Sequence, residues 1–180
     1  MVRWTTRVLL SVVAVVFLVV GGCGSDDDDG GTAGTAPAAS EPTTGAETVE
    51  VDVYFADQER FRTGEEPYER AVRRQVDAAD PIQGAVDALF VGPTADESAT
   101  GLVFVPSGAT GASVEVTDGI ARVQLEGGCS SGGSTLTIAT SLVPTVQQFD
   151  GVTAVKILDP QGATGEPDGE EDSIPECLNP

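Results

Sequence analysis

The sequence contains no histidine, and Lys156 is its only lysine. Histidine is the usual general base, the side chain that most often titrates near neutral pH, and the commonest metal ligand. Its absence excludes serine–histidine and cysteine–histidine catalytic pairs and removes the most common metal-binding chemistry. Any enzymatic activity would have to rely on carboxylates or on Lys156.

Aromatic and basic side chains are also scarce. Aromatic residues make up 5% of the chain, and its one tryptophan is Trp4, so a stacking platform for sugars or bases is poorly supplied. The chain has 9 basic and 29 acidic residues, a formal net charge of −20. Such a charge repels nucleic acid and anionic lipid headgroups. Solubility in a salty exterior is the simplest explanation, with bound divalent cations or a basic partner protein as alternatives.

Residues 1–22 have the three parts of a secretory signal peptide. Two arginines supply positive charge, residues 8–20 form an apolar run, and two glycines precede Cys23. The run is shorter than the roughly 20 residues that span a bilayer, which disfavours the alternative of a permanent transmembrane helix. Small residues before a cysteine resemble the bacterial lipobox, which implies a lipid on Cys23. We expect a lipoprotein anchored to the extracytoplasmic face of the cell membrane.

The three cysteines are an odd number, which would leave a free thiol in an exported protein. If Cys23 carries a lipid, Cys129 and Cys177 remain as a pair. In an oxidising compartment we predict that they form one disulfide. Two separate buried thiols and a metal-binding pair are the alternatives, although two thiolates without histidine make a poor zinc site.

Residues 23–47 predict a disordered tether that follows the lipidated cysteine. They consist almost entirely of Gly, Ser, Asp, Thr, Ala and Pro, with four consecutive aspartates at 26–29. About 24 flexible residues span roughly 25–30 Å. Removal of residues 1–22 would take away two arginines and no acid, leaving 7 basic and 29 acidic residues and a charge of −22.

Residues 48–160 predict one α+β domain, followed by an acidic, Pro/Gly-rich tail at 161–180. Alternating apolar and polar residues at 49–55 predict a half-buried strand, and Asp80-Pro81 predicts the start of a helix. Asp118-Gly119 predicts a β-hairpin turn. The order β-β-α-β-β-β-α-β favours a small, mostly antiparallel sheet with two helices on one face. The other predicted elements are strands at 71–76, 102–105 and 152–158, and a helix from 134 to about 149 that Pro144 should kink or break.

Five segments of this domain, taken in order, resemble the GerMN domain of sporulation and germination proteins. They are Leu-Phe-Val-Gly-Pro-Thr at 89–94, Gly-Leu at 101–102, Pro-Ser-Gly at 106–108, and the segments 118–125 and 148–157. The resemblance covers about 49–160. It implies an α+β unit of the ring-building type, used in envelope assemblies and found in lipoproteins of high-GC Gram-positive bacteria. It carries over no catalytic residue and no cofactor.

Catalytic candidates can be named by residue type, but no motif joins them. A site built from carboxylates alone, as in glycosidases, is the main alternative. A serine nucleophile would need Lys156 as its base, and no Ser-x-x-Lys spacing occurs. The glycine-rich segment 127–133 lacks the lysine of a phosphate-binding loop, so we expect a flexible loop around the disulfide. The candidates are Glu65, Glu66, Asp77, Asp80, Glu115, Glu126, Ser130, Ser131 and Ser134.

The function that these features favour is a non-enzymatic, membrane-anchored envelope lipoprotein that binds or scaffolds another protein. Its expected partners are the lipid bilayer, through the acyl anchor, and an envelope protein, with a homo-oligomer as a further option. We expect no nucleic acid, cofactor or metal. The alternatives are a carboxylate-dependent wall-glycan hydrolase and a lipoprotein that binds divalent cations or small ligands.

Overall fold

The computed structural model describes residues 47–180, and the α+β class is confirmed. The predicted signal peptide, Cys23 and all of the tether except Glu47 lie outside the described residues. Within 47–180, no helix combines the length and the apolar character needed to cross a membrane. The elements are β1 Thr48–Asp57, α1 Gln58–Thr63, β2 Glu69–Asp77, α2 Pro81–Val91, α3 Ala95–Ala99, β3 Leu102–Val103, β4 Ala109–Thr117, β5 Ile120–Gly127, α4 Ile138–Gln147, β6 Ala154–Leu158 and a 3₁₀ turn at Glu176–Leu178.

The strands form two three-stranded sheets. Sheet A has the order β2-β1-β3, and β1 is antiparallel to both neighbours. Sheet B has the order β4-β5-β6, in which β4 and β5 are antiparallel and β5 and β6 are parallel. The parallel pair is a consequence of the connection, because a strand can return parallel only through a crossover, which α4 supplies. The fold is therefore mostly antiparallel, as predicted.

The hairpin between β4 and β5 forms at the predicted turn. Asp118 has φ 53° and Gly119 has φ 80°, so both central residues lie in the left-handed region. Two consecutive positive φ angles define the hairpin turn whose twist matches that of the flanking strands. This short connection aligns Val123 with Val114 and sets the register of sheet B.

Helix α2 also forms as the sequence predicts. Asp80 caps its first turn by accepting a hydrogen bond from the Gln83 N–H at 3.2 Å, and the helix ends before Gly92. Gly84 lies against sheet A, where an added Cβ would come within 2.8 Å of the Val76 Cβ. A glycine at this position therefore permits the close approach of helix and sheet.

Helix α4 begins at Ile138, four residues later than expected, and continues through Pro144. The Ser134 hydroxyl accepts a hydrogen bond from the Leu136 N–H at 3.1 Å, which favours a turn over a helix at this point. Thr137 is extended, and the N–H of Ile138 is satisfied by the Ser107 hydroxyl at 3.0 Å. The first predicted turn is thus replaced by side-chain hydrogen bonds.

A single apolar core joins the two sheets and the two longer helices. Phe55 of sheet A, Leu89 of α2, Val123 of sheet B and Leu142 of α4 belong to it and are fully buried. Leu178, close to the C-terminus, is 1% exposed and belongs to the same core. The acidic tail is therefore packed against the domain and contributes to its core.

Candidate functional site

The three candidate serines have structural roles in the loop between β5 and α4 and do not contact Lys156. Ser131 donates its hydroxyl to the Asn179 carbonyl at 2.6 Å. The hydroxyls of Ser130 and Ser134 accept backbone N–H groups two residues further along the chain. These hydrogen bonds satisfy backbone groups of the loop and attach the loop to the tail. No serine is paired with a lysine among the described residues.

Lys156 lies on the outer side of β6 and is 1% exposed, because the tail covers it. Its ammonium group donates to the Glu166 carbonyl at 2.8 Å and to the Asp168 carbonyl at 3.4 Å. A buried ammonium is stable only where it is hydrogen-bonded or paired. Lys156 therefore orders the acidic loop above it.

The six candidate carboxylates lie at separate places. Two follow α1, two flank the turn between β2 and α2, and two lie on sheet B. In that turn, Asp77 accepts the Ala79 N–H at 2.9 Å and Asp80 caps α2. Within residues 47–180, no three Cys, Asp or Glu side chains form a cluster able to hold a metal ion. The residues in question are Glu65, Glu66, Asp77, Asp80, Glu115 and Glu126.

An ion pair with two hydrogen bonds joins β2 to α3. Arg74 donates two hydrogen bonds to the Glu97 carboxylate, at 2.8 and 2.6 Å, and its guanidinium lies 5.8 Å from the Phe55 ring centroid. The Glu97 carboxylate also accepts the Thr94 N–H and so completes a capping box. The hydrogen bonds from Arg74 lower the pKa of Glu97 to about 2. The pair fastens the short helix α3 beside β2.

A hollow of about 330 Å³ lies between β2 and α3. Val72 and Leu102 form part of its apolar lining, and Arg70 contributes a guanidinium. Arg70 donates to the Thr100 hydroxyl at 2.7 Å, while its Nε lies 3.5 Å from the Asp57 carboxylate and has no hydrogen-bond partner. The hollow therefore combines apolar walls with an incompletely paired arginine.

Glutamine side chains cover the inner edges of both sheets. Gln148, at the end of α4, accepts the Asp52 N–H at 2.9 Å and donates to the carbonyl of the same residue, as a neighbouring strand would. Gln83 of α2 makes the same two contacts with β4: it accepts a hydrogen bond from the Val114 N–H and donates one to the Ala112 carbonyl, both at 2.9 Å. Each amide supplies a donor and an acceptor, which is what an unpaired strand edge requires.

The outer edge of β6 is covered by the tail. Ser173 accepts the Ile157 N–H at 2.8 Å and donates its own N–H to the Val155 carbonyl at 3.0 Å. Asp172 accepts the Val155 N–H at 2.8 Å. A disulfide between Cys129 and Cys177, whose Cα atoms are 5.7 Å apart, holds this segment in place.

The outer edge of β2 has no such cover. The Tyr68 carbonyl accepts a hydrogen bond from the N–H of Asp57, and the Ala78 N–H donates to the carbonyl of Glu47. Because backbone direction alternates along a strand, the N–H and C=O groups of the even-numbered residues of β2 point toward β1, and those of the odd-numbered residues point outward. Among the described residues, the outward backbone groups of Ala71, Arg73 and Gln75 have no backbone partner. One side chain, Arg74, donates to the Arg73 carbonyl. This edge, together with the hollow beside it, is the candidate interaction site.

The charge around this edge differs from the charge of the rest of the chain. Residues 58–77 contain five arginines and five acidic residues, so this segment is neutral, whereas the whole chain carries −20. Because like charges repel, another acidic molecule can approach this neutral segment at a lower electrostatic cost than the acidic tail. The sequence showed the arginines, but it did not show that they gather beside an open strand edge.

Comparison with known proteins places these features in context. The model of a family described as "Germane: Sporulation and spore germination" matches residues 52–159. The tandem GerMN domains of the sporulation protein GerM from Bacillus subtilis are similar with a TM-score of 0.45 and 20% identity, over 77% of this chain and 51% of that chain. The chain thus spans about half the length of that solved structure. No match was found among curated proteins.

Proposed function

Because this chain belongs to the Germane family of sporulation and spore-germination domains, we propose that it is a non-catalytic envelope module that binds another protein. The match over residues 52–159 carries this proposal, since it covers the predicted resemblance almost end to end. The polar residues that could serve catalysis support it, because Ser131, Lys156 and Asp80 each have a structural role. Binding is assigned to the open edge of β2.

The proposal includes a lipid anchor on Cys23. The Cys129–Cys177 bond supports it, because that bond leaves Cys23 as the one cysteine of the sequence without a disulfide partner. A tether of roughly 25–30 Å would hold the domain close to the membrane while letting it turn toward a partner. Two acyl chains give a stable attachment, whereas one chain is marginal.

The anchor is tested by a Cys23→Ser change in the full chain, expressed in a Gram-positive host. We expect the wild type in the membrane fraction and the variant in the culture medium. The Cys129→Ser/Cys177→Ser variant serves as a control, because it should still carry the lipid. Retention of Cys23→Ser in the membrane would show that a segment other than the lipid holds the chain there.

Partner binding is tested by crosslinking the anchored wild type in intact cells, followed by its recovery and mass spectrometry of the products. We expect a defined envelope protein, and we expect its yield to fall when proline replaces Ala71 at the β2 edge. A matched Ser113→Ala variant on the outer face of sheet B should leave the yield unchanged. Hydrolysis of purified wall glycan by the wild type would overturn the non-catalytic proposal.

A further inference from the structure

We propose that two copies of this chain pair through the open edges of β2, antiparallel and about a two-fold axis at Ala71. The pairing would join the two copies of sheet A into one sheet of six strands. The outward N–H and C=O groups of Glu69, Ala71 and Arg73 would then have backbone partners, which they lack in one copy. Within one copy, the Arg73 carbonyl accepts a hydrogen bond from the Arg74 side chain. The inference goes beyond the proposed function and does not depend on a lipid anchor. Because the edge of β2 can pair with one strand at a time, a second copy and another envelope protein would compete for it.

The charges along β2 are self-complementary about Ala71. In an antiparallel pair centred there, Glu69 of each copy lies directly opposite Arg73 of the other copy. Glu69 forms no ion pair among the described residues, and Arg73 has only an exposed contact with Glu50 at 3.0 Å. Two new ion pairs would thus flank the axis, with the small side chain of Ala71 on the axis itself.

Other registers are less favourable because of what they bring together. A centre at Arg73 places that arginine opposite itself, and a centre at Val72 places Arg70 opposite Arg74. Like charges directly opposite one another destabilise a strand pair. A centre at Gln75 pairs Arg73 with Asp77, but Asp77 already accepts the Ala79 N–H at 2.9 Å and the chain turns away from the strand there.

The hollow beside β2 also selects the Ala71 register. It is lined by Arg70, Ala71 and Val72, so it lies at the two-fold axis when the pairing is centred on Ala71. If the pairing were centred on Gln75, the axis would be four residues away from Ala71. In the Ala71 register, Val72 of the second copy lies opposite Arg70, on the same side of the joined sheet as the hollow. Its side chain can then occupy the apolar part of the hollow.

Disulfide trapping of the full chain in intact expressing cells tests the register. An Ala71→Cys variant should form a covalent dimer on mild oxidation, because directly opposite residues have Cα atoms about 5.5 Å apart. Gln75→Cys is the matched control, since it lies on the same strand and is equally exposed. In this register its two copies are eight residues apart, about 27 Å. The wild type reports any background from Cys23.

Exchanging the charges of Glu69 and Arg73 distinguishes this dimer from any other contact made by the β2 edge. In the Ala71→Cys background, Glu69→Arg alone and Arg73→Glu alone should each lower the dimer yield roughly tenfold, because both symmetry-related pairs change sign. The two changes together should restore it to within about twofold, since opposite charges face each other again. The proposal is overturned by any of three results: Ala71→Cys forms no dimer, Gln75→Cys forms as much dimer as Ala71→Cys, or the double charge exchange does not restore the dimer yield.

Discussion

The outer edge of sheet B is covered, whereas the outer edge of sheet A is open. The edge of β6 is covered by the tail, which contributes the backbone of Ser173, the carboxylate of Asp172 and a disulfide. The edge of β2 has no cover among the described residues, and arginines lie along it. The family match ends at residue 159, so the cover of β6 comes from a segment outside the matched region.

This difference indicates which edge is available to a partner. A strand edge without cover is a template for another chain, and folded proteins usually block such edges. Here the sequence beyond the family match covers the edge of β6, and glutamine side chains cover parts of β1 and β4. The edge of β2 stays open, and we infer that binding takes place there.

The disulfide should matter most, because it holds the cover of β6 in place. Cys129 and Cys177 are 48 residues apart, and the chain-entropy estimate for such a loop is about 4 kcal/mol. We expect Cys129→Ser/Cys177→Ser to lower the free energy of unfolding in urea by roughly 2–5 kcal/mol. Hydrogen exchange at Val155 and Ile157 should accelerate. At a dilution where copies do not pair, the outward amides of Ala71 and Arg73 should exchange quickly in both proteins. The matched change Cys23→Ser should alter neither quantity.

If the double serine variant kept slow exchange at Val155 and Ile157, the tail would hold its place without the disulfide. The contrast between the two edges would then rest on Leu178 and on the hydrogen bonds of Ser173. A truncation after residue 159 would give their combined contribution, because it removes Ser173, Leu178 and the disulfide at once.

The Arg74–Glu97 pair comes next, because it fixes α3 beside the open edge. The hydrogen bonds from Arg74 lower the pKa of Glu97 from its ordinary value of 4.5 to about 2 in the folded protein. Its contribution to stability is therefore present above about pH 4.5 and is lost as the pH falls through 2. We expect Glu97→Gln to cost about 1–2 kcal/mol near neutral pH, less than the full pKa shift implies because the pair is partly exposed.

Urea unfolding of the wild type and Glu97→Gln between pH 7 and pH 2 measures this effect. The difference between the two proteins should shrink toward zero as the pH approaches 2. Glutamine preserves the capping box with Thr94, so the change isolates the charge. A difference that stayed constant with pH would mean that the ion pair does not stabilise the fold.

The elements with strong local signals could be predicted from sequence, and the contacts that build the site could not. β1, α2 and the hairpin at Asp118 follow from alternation, capping and turn chemistry within a few residues. The helix α3 was missed, because its five residues bury nothing, although Thr94 and Glu97 carry the spacing of a capping box.

Long-range pairings explain the remaining gaps. Arg74 meets Glu97 across 23 residues, and Gln148 meets Asp52 across 96. No periodicity encodes such contacts, because they depend on how the elements pack after they form. The sequence predicted the Cys129–Cys177 link from compartment and count, but not that the segment between the last strand and Cys177 would cover β6. The predicted lipid on Cys23 stays a prediction.

A smaller effect is expected where a side chain replaces a strand. Gln148→Ala leaves the N–H and C=O of Asp52 without their amide partner. The site is partly exposed, so water can replace the glutamine, and we expect a loss of about 1 kcal/mol in the free energy of unfolding. The neighbouring Gln147→Ala is the matched control, since Gln147 makes one long contact with Asp172 at 3.5 Å. Equal losses in both variants would show that the cover on β1 contributes no stability.

The smallest effect should come from proline on the open edge. The N–H of Ala71 points away from β1 and donates to no described backbone group, so Ala71→Pro removes no hydrogen bond within one copy. Edge strands tolerate proline at such positions. We expect the free energy of unfolding to fall by less than about 1 kcal/mol, provided that it is measured at a dilution where copies do not pair.

Val72 gives the contrast within the same strand, because its N–H faces β1 and pairs with Val53. Val72→Pro should cost at least about 2 kcal/mol more than Val72→Ala, which removes the side chain but keeps the ladder. A large loss from Ala71→Pro would mean that its N–H already has a partner, and the edge of β2 would then be closed like that of β6. A small loss, combined with failed crosslinking of Ala71→Pro to its partner, would locate the interaction at the backbone of this edge.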